Sequence, residues 1–353
     1  MPDHGTPEGP SRRRRWLIGL GLAAAIPPIA ARGYREYLRR RPDPEAGEPI
    51  CAPMGERARY VNSFDGTRLY TEELGSGPTL VLIPGWFSNT DHWHYQKKEL
   101  SSRYRVVSYD QRGHRWSGFQ PRQPITLEML GRDLKAVLDA VAPDGPVVLT
   151  GHSMGGMAII SFADLFAGEL GSRVKGIALV DTSNEPFGAH VAGGRAMEAI
   201  RRPVVEPIFR FGAEHSRLFD WAKHVFVRTS VFLATTRLFG YGSSDSLTLL
   251  EYTADMADAT GIEGACLAGL GLVSNDRTVS LQPVYESGVP VQVWVGAKDK
   301  LTKPGVSQRM ACSLPGCEFQ VVRNTGHPSF MEAYREFNSA LERLAESSFD
   351  QKG

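Results

Sequence analysis

Residues 147–156, Val-Val-Leu-Thr-Gly-His-Ser-Met-Gly-Gly, carry the strongest structural signal in this sequence. The first four are apolar or β-branched, as in a buried strand, and the residues after Gly155 show the apolar spacing of a helix. The pattern therefore predicts a strand that turns sharply into a helix, with Ser153 at the tip of the turn. Glycines on both sides favour this turn, because they tolerate strained backbone angles and let the strand and the helix pack closely.

Seven further runs of strand-like residues surround this one. An antiparallel pair is predicted around Asp65-Gly66, and five more runs follow along the chain, so that the predicted strands are 57–63, 68–74, 79–83, 104–109, 147–149, 174–180, 289–295 and 318–322. Helical spacing is expected near 126–141, 155–167, 304–313 and 329–346. This alternation predicts an α/β protein with an eight-stranded, mostly parallel sheet and helices on both faces.

One long stretch interrupts the alternation. Residues 183–285 have helical apolar spacing and many aromatic side chains, which predicts a helical cap inserted after the sixth strand. The sheet domain then consists of residues 56–182 and 286–348. We expect most cap aromatics to fill the interior of the cap and some of them to line a pocket beneath it.

The composition is that of an ordinary globular protein. The 353 residues include 40 basic and 39 acidic side chains, and the resulting net charge of +1 does not indicate a nucleic-acid partner. The cysteines, Cys51, Cys266, Cys312 and Cys317, lack the paired spacing of zinc or redox sites. We expect buried free thiols, and a disulfide between Cys312 and Cys317 is the alternative for an exported protein.

The N-terminal segment has the layout of an export signal or a membrane anchor. Four arginines, Arg12 to Arg15, precede an apolar run, and Arg13-Arg14 followed by Trp16-Leu17 fits the twin-arginine pattern. The run is shorter than the roughly twenty residues needed to span a bilayer, which favours a cleaved signal. Residues 1–55 are therefore assigned to a leader and linker outside the fold. Membrane association through residues 12–41 or export is expected, with a cytoplasmic location as the alternative.

A serine hydroxyl is a weak nucleophile until a base takes its proton, so a histidine and a carboxylate are required. Asp299 and His327 each follow a predicted strand, at the edge of the sheet where ligands collect. The sequence therefore predicts a catalytic triad of Ser153, Asp299 and His327, in the order that such sheets use. Asp181, at the end of the sixth strand, is the alternative acid.

These residues resemble the serine-triad α/β hydrolases, and in particular the bacterial cofactor-free (non-haem) haloperoxidase and esterase group. Residues 109–118 resemble the D-x-R-G-x-G-x-S loop of that group, while 151–156 and 326–332 resemble its nucleophile turn and histidine loop. The resemblance implies ester hydrolysis as the default activity, with halogenation as a side reaction that uses peroxide and a carboxylic acid. Arg115 stands where the family loop has a glycine, which predicts a different backbone path there.

A tetrahedral oxyanion needs two fixed hydrogen-bond donors. Residues 84–87, Pro-Gly-Trp-Phe, align with the loop that lends one donor in this fold, so the backbone N–H groups of Trp86 and Met154 are expected to form the oxyanion hole. His92 and His94 lack a third metal ligand at a recognisable spacing, and we expect neither a metal nor a cofactor. His114 and His152 are expected to shape their loops.

Hydrolysis of a carboxylic ester or lactone through an acyl-enzyme intermediate is the expected function. A thioesterase, a carbon–carbon bond hydrolase or a haloperoxidase-like perhydrolase would use the same triad, so these alternatives stay open. Epoxide hydrolases and dehalogenases of this fold need a carboxylate at position 153, and serine there argues against them. A small-molecule-binding protein with little turnover is the alternative from another class.

Overall fold

The computed structural model describes residues 28–50, 57–186, 199–275 and 278–350. Within these ranges eight strands form one sheet in the order β1-β2-β4-β3-β5-β6-β7-β8. The strands β3 to β8 run parallel, whereas β2 is antiparallel to both of its neighbours. All eight predicted strands are present, and the predicted fold class is confirmed. Their bounds are β1 Arg57–Asn62, β2 Arg68–Leu74, β3 Thr79–Ile83, β4 Arg105–Tyr109, β5 Val147–His152, β6 Val174–Val180, β7 Val291–Gly296 and β8 Glu318–Val322.

Helices separate most of the parallel strands, and six of them, α5 to α10, follow one another between β6 and β7. Their bounds are α1 Pro28–Arg39, α2 His94–Leu100, α3 Leu127–Val141, α4 Met154–Leu165, α5 Glu206–Glu214, α6 Ser216–Val227, α7 Ser230–Phe239, α8 Leu247–Ala259, α9 Ile262–Ser274, α10 Gln282–Ser287, α11 Pro304–Cys312, α12 Ser329–Glu332 and α13 Tyr334–Phe349. The single helix predicted at 329–346 is two helices, because the chain leaves helical geometry at Ala333 (φ −124°).

Each face of the sheet has its own apolar core. Every residue of β3 and β5 is buried, as expected for central parallel strands covered on both sides. Because successive side chains of a strand point to opposite faces, Val81 and Leu149 belong to one core and Leu80 and Val148 to the other. This packing fixes the carboxyl edge of the sheet, where the predicted site residues lie.

The helices α5 to α9 follow β6 and lie against the loops at this carboxyl edge. The helix α9 approaches the sheet domain most closely: a Cβ on Gly271 would lie 1.7 Å from the Ile125 carbonyl oxygen, and the Ile125 N–H donates to Leu267 O at 3.0 Å. No single described helix has the length and apolar composition to cross a membrane. The helices α8 and α9 have that length and apolar composition only when they are taken together, and they are bent by 95° relative to each other.

The assignment of all of residues 1–55 to a leader and linker outside the fold is wrong for residues 28–50, which pack against the rest of the protein. Leu38 and Ile50 are buried in one of the two cores, and α1 packs against α7 and α8. Polar contacts reinforce this packing, because Arg41 pairs with Asp245 at 2.7 Å and Asp43 accepts from the Thr248 N–H at 2.9 Å. We call residues 28–50 the N-terminal arm. The twin-arginine pattern and the apolar run before Pro27 lie outside the described residues.

The cysteines within the described ranges carry free thiols. Cys312 and Cys317 are not bridged, so the alternative disulfide is absent from this structure. The expectation that all thiols are buried is wrong for Cys312, which is exposed at the end of α11. Cys51 lies outside the described residues.

Candidate active site

Ser153 occupies a strained turn between β5 and α4. Its backbone has φ 52° and ψ −118°, a left-handed conformation that non-glycine residues rarely adopt. The turn is held by two hydrogen bonds: the Ser153 N–H donates to Val180 O at 2.9 Å, and the Thr182 hydroxyl donates to Ser153 O at 2.6 Å. A Cβ on Gly155 would lie 2.2 Å from Ile83 O, which explains why glycine is required beside the serine.

His327 and Asp299 are brought together from separate loops. Nδ1 of His327 is 2.8 Å from Oδ2 of Asp299, and the other carboxylate oxygen accepts hydrogen bonds from the N–H groups of Leu301 (2.8 Å) and Thr302 (2.9 Å). Burial would lower the pKa of His327, but the charge and hydrogen bond of Asp299, with a contribution from Asp181, raise it above its ordinary value. Asp299 therefore orients the ring and favours its protonated form.

The alternative acid, Asp181, makes different contacts. Its carboxylate accepts hydrogen bonds from the Gly296 N–H (2.8 Å), the Ser329 N–H (3.1 Å) and the Ser329 hydroxyl (2.5 Å). Burial, followed by the charge of Asp299, raises the pKa of Asp181 well above its ordinary value. The structure thus places Asp299, and not Asp181, in hydrogen-bond contact with the His327 ring.

Ser153 and His327 face one cavity of about 460 Å³ beneath the cap. Its volume lies in the range typical of small-molecule sites. Residues from α6 to α9 form much of its wall, and its apolar lining comes from Trp86, Phe87, Met154, Met157, Phe226, Val227, Phe232, Met256, Ala257, Leu272 and Leu301. As expected, some of the cap aromatics line the pocket, here Phe226 and Phe232.

The loop that follows β3 is fixed by contacts that the sequence did not reveal. The Phe87 N–H donates to Nε2 of His114 at 3.2 Å, while Nδ1 of the same ring is 3.1 Å from Arg112 O. Burial lowers the pKa of His114 to about 4, so the ring is neutral and can accept that hydrogen bond. Phe87 has a left-handed backbone (φ 56°), and the Trp86 indole N–H donates to Ala265 O of the cap at 2.8 Å.

The two residues expected to form the oxyanion hole flank Ser153. Trp86 and Met154 both line the cavity with the serine. Met154 is the first residue of α4, so its N–H has no acceptor within the helix. The neighbouring Phe87 N–H already donates to His114, so it is not available as a donor to an oxyanion.

Three neighbouring histidine rings, those of His327, His152 and His92, line one side of the cavity. The ring centroids of His327 and His152 are 4.7 Å apart, those of His152 and His92 are 4.9 Å apart, and Nε2 of His152 is 3.1 Å from His327 O. Burial, followed by the charge of His327, lowers the pKa of His152 well below its ordinary value and that of His92 to about 3. These two rings are therefore neutral. His94 instead contacts Glu48 of the N-terminal arm at 2.8 Å.

Glu332 ties the histidine loop to the cap, a role that the sequence motif did not reveal. Its carboxylate accepts from the N–H groups of Gly326 (2.6 Å), Gly242 (3.0 Å), Ser244 (3.0 Å) and Ser243 (3.3 Å). We call this group of contacts the Glu332 clamp. The His327 N–H also donates to Gly240 O at 2.7 Å, so hydrogen bonds join the end of α7 directly to the histidine loop.

Arg115 keeps the backbone conformation that a glycine would adopt freely. Its φ is 44°, and its guanidinium pairs with Asp91 at 2.8 Å and lies 3.6 Å from the centroid of the Trp116 ring. The ion pair and the cation–π contact offset the strain of this conformation. Among the described residues, no group of three or more His, Cys, Asp or Glu side chains is placed to hold a metal ion.

A strand-turn-helix serine at the carboxyl edge of a mostly parallel sheet, with a histidine and a carboxylate behind it, defines the class of α/β hydrolases. Residues 80–340 match the model of the alpha/beta hydrolase family, and the chain belongs to this family. It is therefore a hydrolase.

Individual relatives are distant but cover most of the chain. The AB hydrolase superfamily protein YisY of Bacillus subtilis is 22% identical over 82% of this chain and 99% of its own. A thermophilic esterase from Thermogutta terrifontis superposes with a TM-score of 0.64 at 24% identity, over 83% of this chain and 99% of that one. The bromoperoxidase from Bacillus anthracis gives 0.64 at 19% identity, over 82% of this chain and all of its own.

Proposed function

We propose that this protein is a serine hydrolase that cleaves a carboxylic ester or lactone through an acyl-enzyme intermediate. The observation that carries the proposal is that Ser153 lines the same apolar cavity as His327, whose ring is hydrogen bonded to Asp299 at 2.8 Å. The similarity to a protein described as an esterase supports the same reaction class.

In the first step, the Ser153 hydroxyl oxygen attacks the substrate carbonyl carbon and Nε2 of His327 takes the hydroxyl proton. Asp299 holds the proton on Nδ1, which leaves Nε2 free to act as the base. The raised pKa of His327 makes this ring a better proton acceptor than an isolated imidazole. The imidazolium then gives the proton to the leaving alcohol as the ester bond breaks.

The carbonyl oxygen becomes negatively charged in this step and requires fixed donors. We assign this role to the backbone N–H groups of Trp86 and Met154, the second of which stands at the N-terminus of α4. The partial positive charge of a helix N-terminus adds to the stabilisation. Loss of one such donor typically costs about 10²–10³ in kcat.

In the second step, a water molecule attacks the acyl-enzyme, with His327 again acting as the base. Ser153 leaves with the proton, and the carboxylic acid product is released. No metal or redox step is needed for the atoms and electrons to balance.

The lining of the cavity indicates the chemistry of the substrate. Phe226, Phe232, Met256 and Leu272 surround the volume beyond Ser153, and none of the cavity's lining residues is acidic. Burial of apolar substrate surface contributes roughly 25 cal/mol per Å². We therefore expect esters or lactones with an apolar acyl or alcohol group to react faster than short polar ones.

The test is active-site labelling with a fluorophosphonate, followed by mass-spectrometric mapping of the adduct on the full chain. We expect the adduct on Ser153, no adduct in Ser153→Ala, and greatly slowed labelling in His327→Ala. Ser102→Ala, which removes an exposed serine hydroxyl, is the matched control and should label normally. Normal labelling of His327→Ala, or turnover of p-nitrophenyl esters by Ser153→Ala at the wild-type rate, would refute the proposed mechanism.

A further inference from the structure

Two neighbouring cap helices present large apolar side chains to solvent. On α6, Leu218, Trp221 and Val225 are 62%, 67% and 50% exposed, and their spacing places them on one face of the helix. On α5, Ile208 and Phe211 are 63% and 53% exposed. We call these five side chains the cap face. Soluble proteins expose single apolar residues routinely, but a group of large ones marks an interaction site.

The two helices of the cap face are in contact with each other. The rings of Phe211 on α5 and Phe219 on α6 lie 5.8 Å apart at near right angles. The two helices therefore lie side by side, and their exposed apolar residues are on neighbouring parts of the cap.

This surface continues to the mouth of the active-site cavity. Phe226, one residue beyond Val225 on α6, is 46% exposed and also lines the cavity. Across the opening, Leu301 is 48% exposed and lines the same cavity. Exposed apolar side chains therefore lie at the cavity as well as on the cap face.

The charges around the cap face are mostly positive. Between residues 199 and 228, Arg202, Arg210, Arg217 and Arg228 are exposed, and Glu214 is an exposed acid. Arg228 is ion paired with Asp255 (2.7 Å) and Asp258 (3.0 Å), so the positive charge of this surface comes from Arg202, Arg210 and Arg217. Cationic side chains beside an apolar surface are the composition of elements that lie on anionic membranes.

The N-terminal arm places the start of the described chain on the same domain. The helix α1 packs against α7 and α8 of the cap, and the sequence just before it is the basic and apolar stretch beginning at Arg12. The described chain therefore begins at the cap, directly after the segment whose composition is that of a membrane signal or anchor.

We propose that the cap face docks on the surface of an anionic phospholipid bilayer and that the cavity takes hydrophobic esters directly from it. Leu218, Trp221 and Val225 enter the interface, and Arg202, Arg210 and Arg217 contact lipid phosphates. The docking does not depend on the hydrolysis proposed above, because a bilayer can be bound without turnover, whereas the delivery of esters rests on that proposed function.

Docking is tested by tryptophan fluorescence of the full chain with phosphatidylglycerol vesicles that carry brominated acyl chains. Bromine quenches only tryptophans that reach the lipid, so Trp221→Phe should remove a large part of the quenching seen in the wild type. Trp116→Phe, which replaces a 43% exposed tryptophan outside the cap, is the control and should leave the quenching unchanged. Equal quenching in the wild type and in Trp221→Phe would overturn the proposal, as would an absence of quenching.

Substrate delivery is tested with the double variant Leu218→Ser/Trp221→Ser. Burial of each side chain in the lipid raises the membrane partition coefficient by about one to two orders of magnitude. Hydrolysis of a vesicle-borne fluorogenic ester by the double variant should therefore fall at least about tenfold. Hydrolysis of a water-soluble short ester should stay within about twofold, since neither residue lines the cavity. The control Tyr285→Ser removes a 56% exposed aromatic from α10, before the amino end of β7, and should change neither rate.

The outcomes separate this proposal from the proposed function. A wild-type protein that hydrolyses neither ester contradicts the esterase proposal, and lipid quenching then still decides the docking. Equal loss of both activities in the double variant contradicts selective docking. Unchanged vesicle activity, together with a change from dimer to monomer in sedimentation, would identify a second copy of the chain as the true occupant of the cap face.

Discussion

Replacement of Glu332 by glutamine tests whether the Glu332 clamp positions the catalytic histidine. The carboxylate joins Gly326, which directly precedes His327, to residues 242–244 at the end of the cap helix α7. Glutamine has the same shape but only one acceptor oxygen. Its NH₂ group is a donor and cannot accept the hydrogen bonds of the backbone N–H groups that it would face. The variant therefore removes acceptors from the clamp without changing the packing volume.

The free-energy loss expected for Glu332→Gln follows from the contacts of the carboxylate. The remaining oxygen can keep Gly326 and Gly242, whose N–H groups lie 2.6 and 3.0 Å from Oε1. Ser243 is exposed and can bond water, so the main loss is the Ser244 N–H and the charge of the acceptor. An unsatisfied buried donor costs about 1–3 kcal/mol, and we expect a loss of about 2 kcal/mol, or roughly thirtyfold in the clamp equilibrium.

The assay combines urea unfolding with kcat/KM for a water-soluble ester. We expect the free energy of unfolding to fall by about 2 kcal/mol and kcat/KM to fall by up to about thirtyfold, mostly through kcat. Glu336→Gln removes an exposed carboxylate on α13 and is the matched control. If Glu332→Gln unfolds and turns over like this control, the carboxylate does not position the histidine loop and the reasoning is wrong.

Three further predictions follow from the same structure. Asp299→Asn removes the main influence that raises the pKa of His327, so the acidic limb of kcat/KM should shift to lower pH while the plateau falls about 10³–10⁴-fold, as a pH–rate profile will show. Gly271→Ala brings a Cβ to within 1.7 Å of a carbonyl oxygen and should cost about 3 kcal/mol or more in urea unfolding, whereas Gly261→Ala, in open space, should cost less than about 1 kcal/mol. Leu38→Ala should cost about 2–5 kcal/mol in the same assay if the N-terminal arm is part of the fold, and a change below 0.5 kcal/mol would contradict this role.

The sheet could be predicted from the sequence because its signals are local. Buried parallel strands are short apolar runs between turn residues, and the strand β3 shows this pattern over all of its five positions. The serine turn was predictable for the same reason, since Gly151, Ser153 and Gly155 stand within five residues of one another.

The contacts that hold the site together were not predictable, because they join residues far apart in the chain. Glu332 is about ninety residues from the cap amides that it binds, and no spacing rule relates them. The N-terminal arm was placed outside the fold for a similar reason. Its composition is polar and rich in charges of both signs, and only a few apolar side chains such as Leu38 and Ile50 anchor it.

The two candidate acids show how one sequence signal can cover two roles. Both Asp181 and Asp299 follow strands at the carboxyl edge, so position along the sheet could not separate them. The contacts of Asp181 distinguish it from Asp299. Its carboxylate accepts hydrogen bonds from Gly296, three residues before Asp299, and from Ser329, two residues after His327. It therefore braces the loops that carry the other acid and the histidine, and its buried charge beside Asp299 is one of the influences that raise the pKa of His327. A carboxylate that never contacts the ring can thus hold together the two loops on whose spacing the proposed chemistry depends.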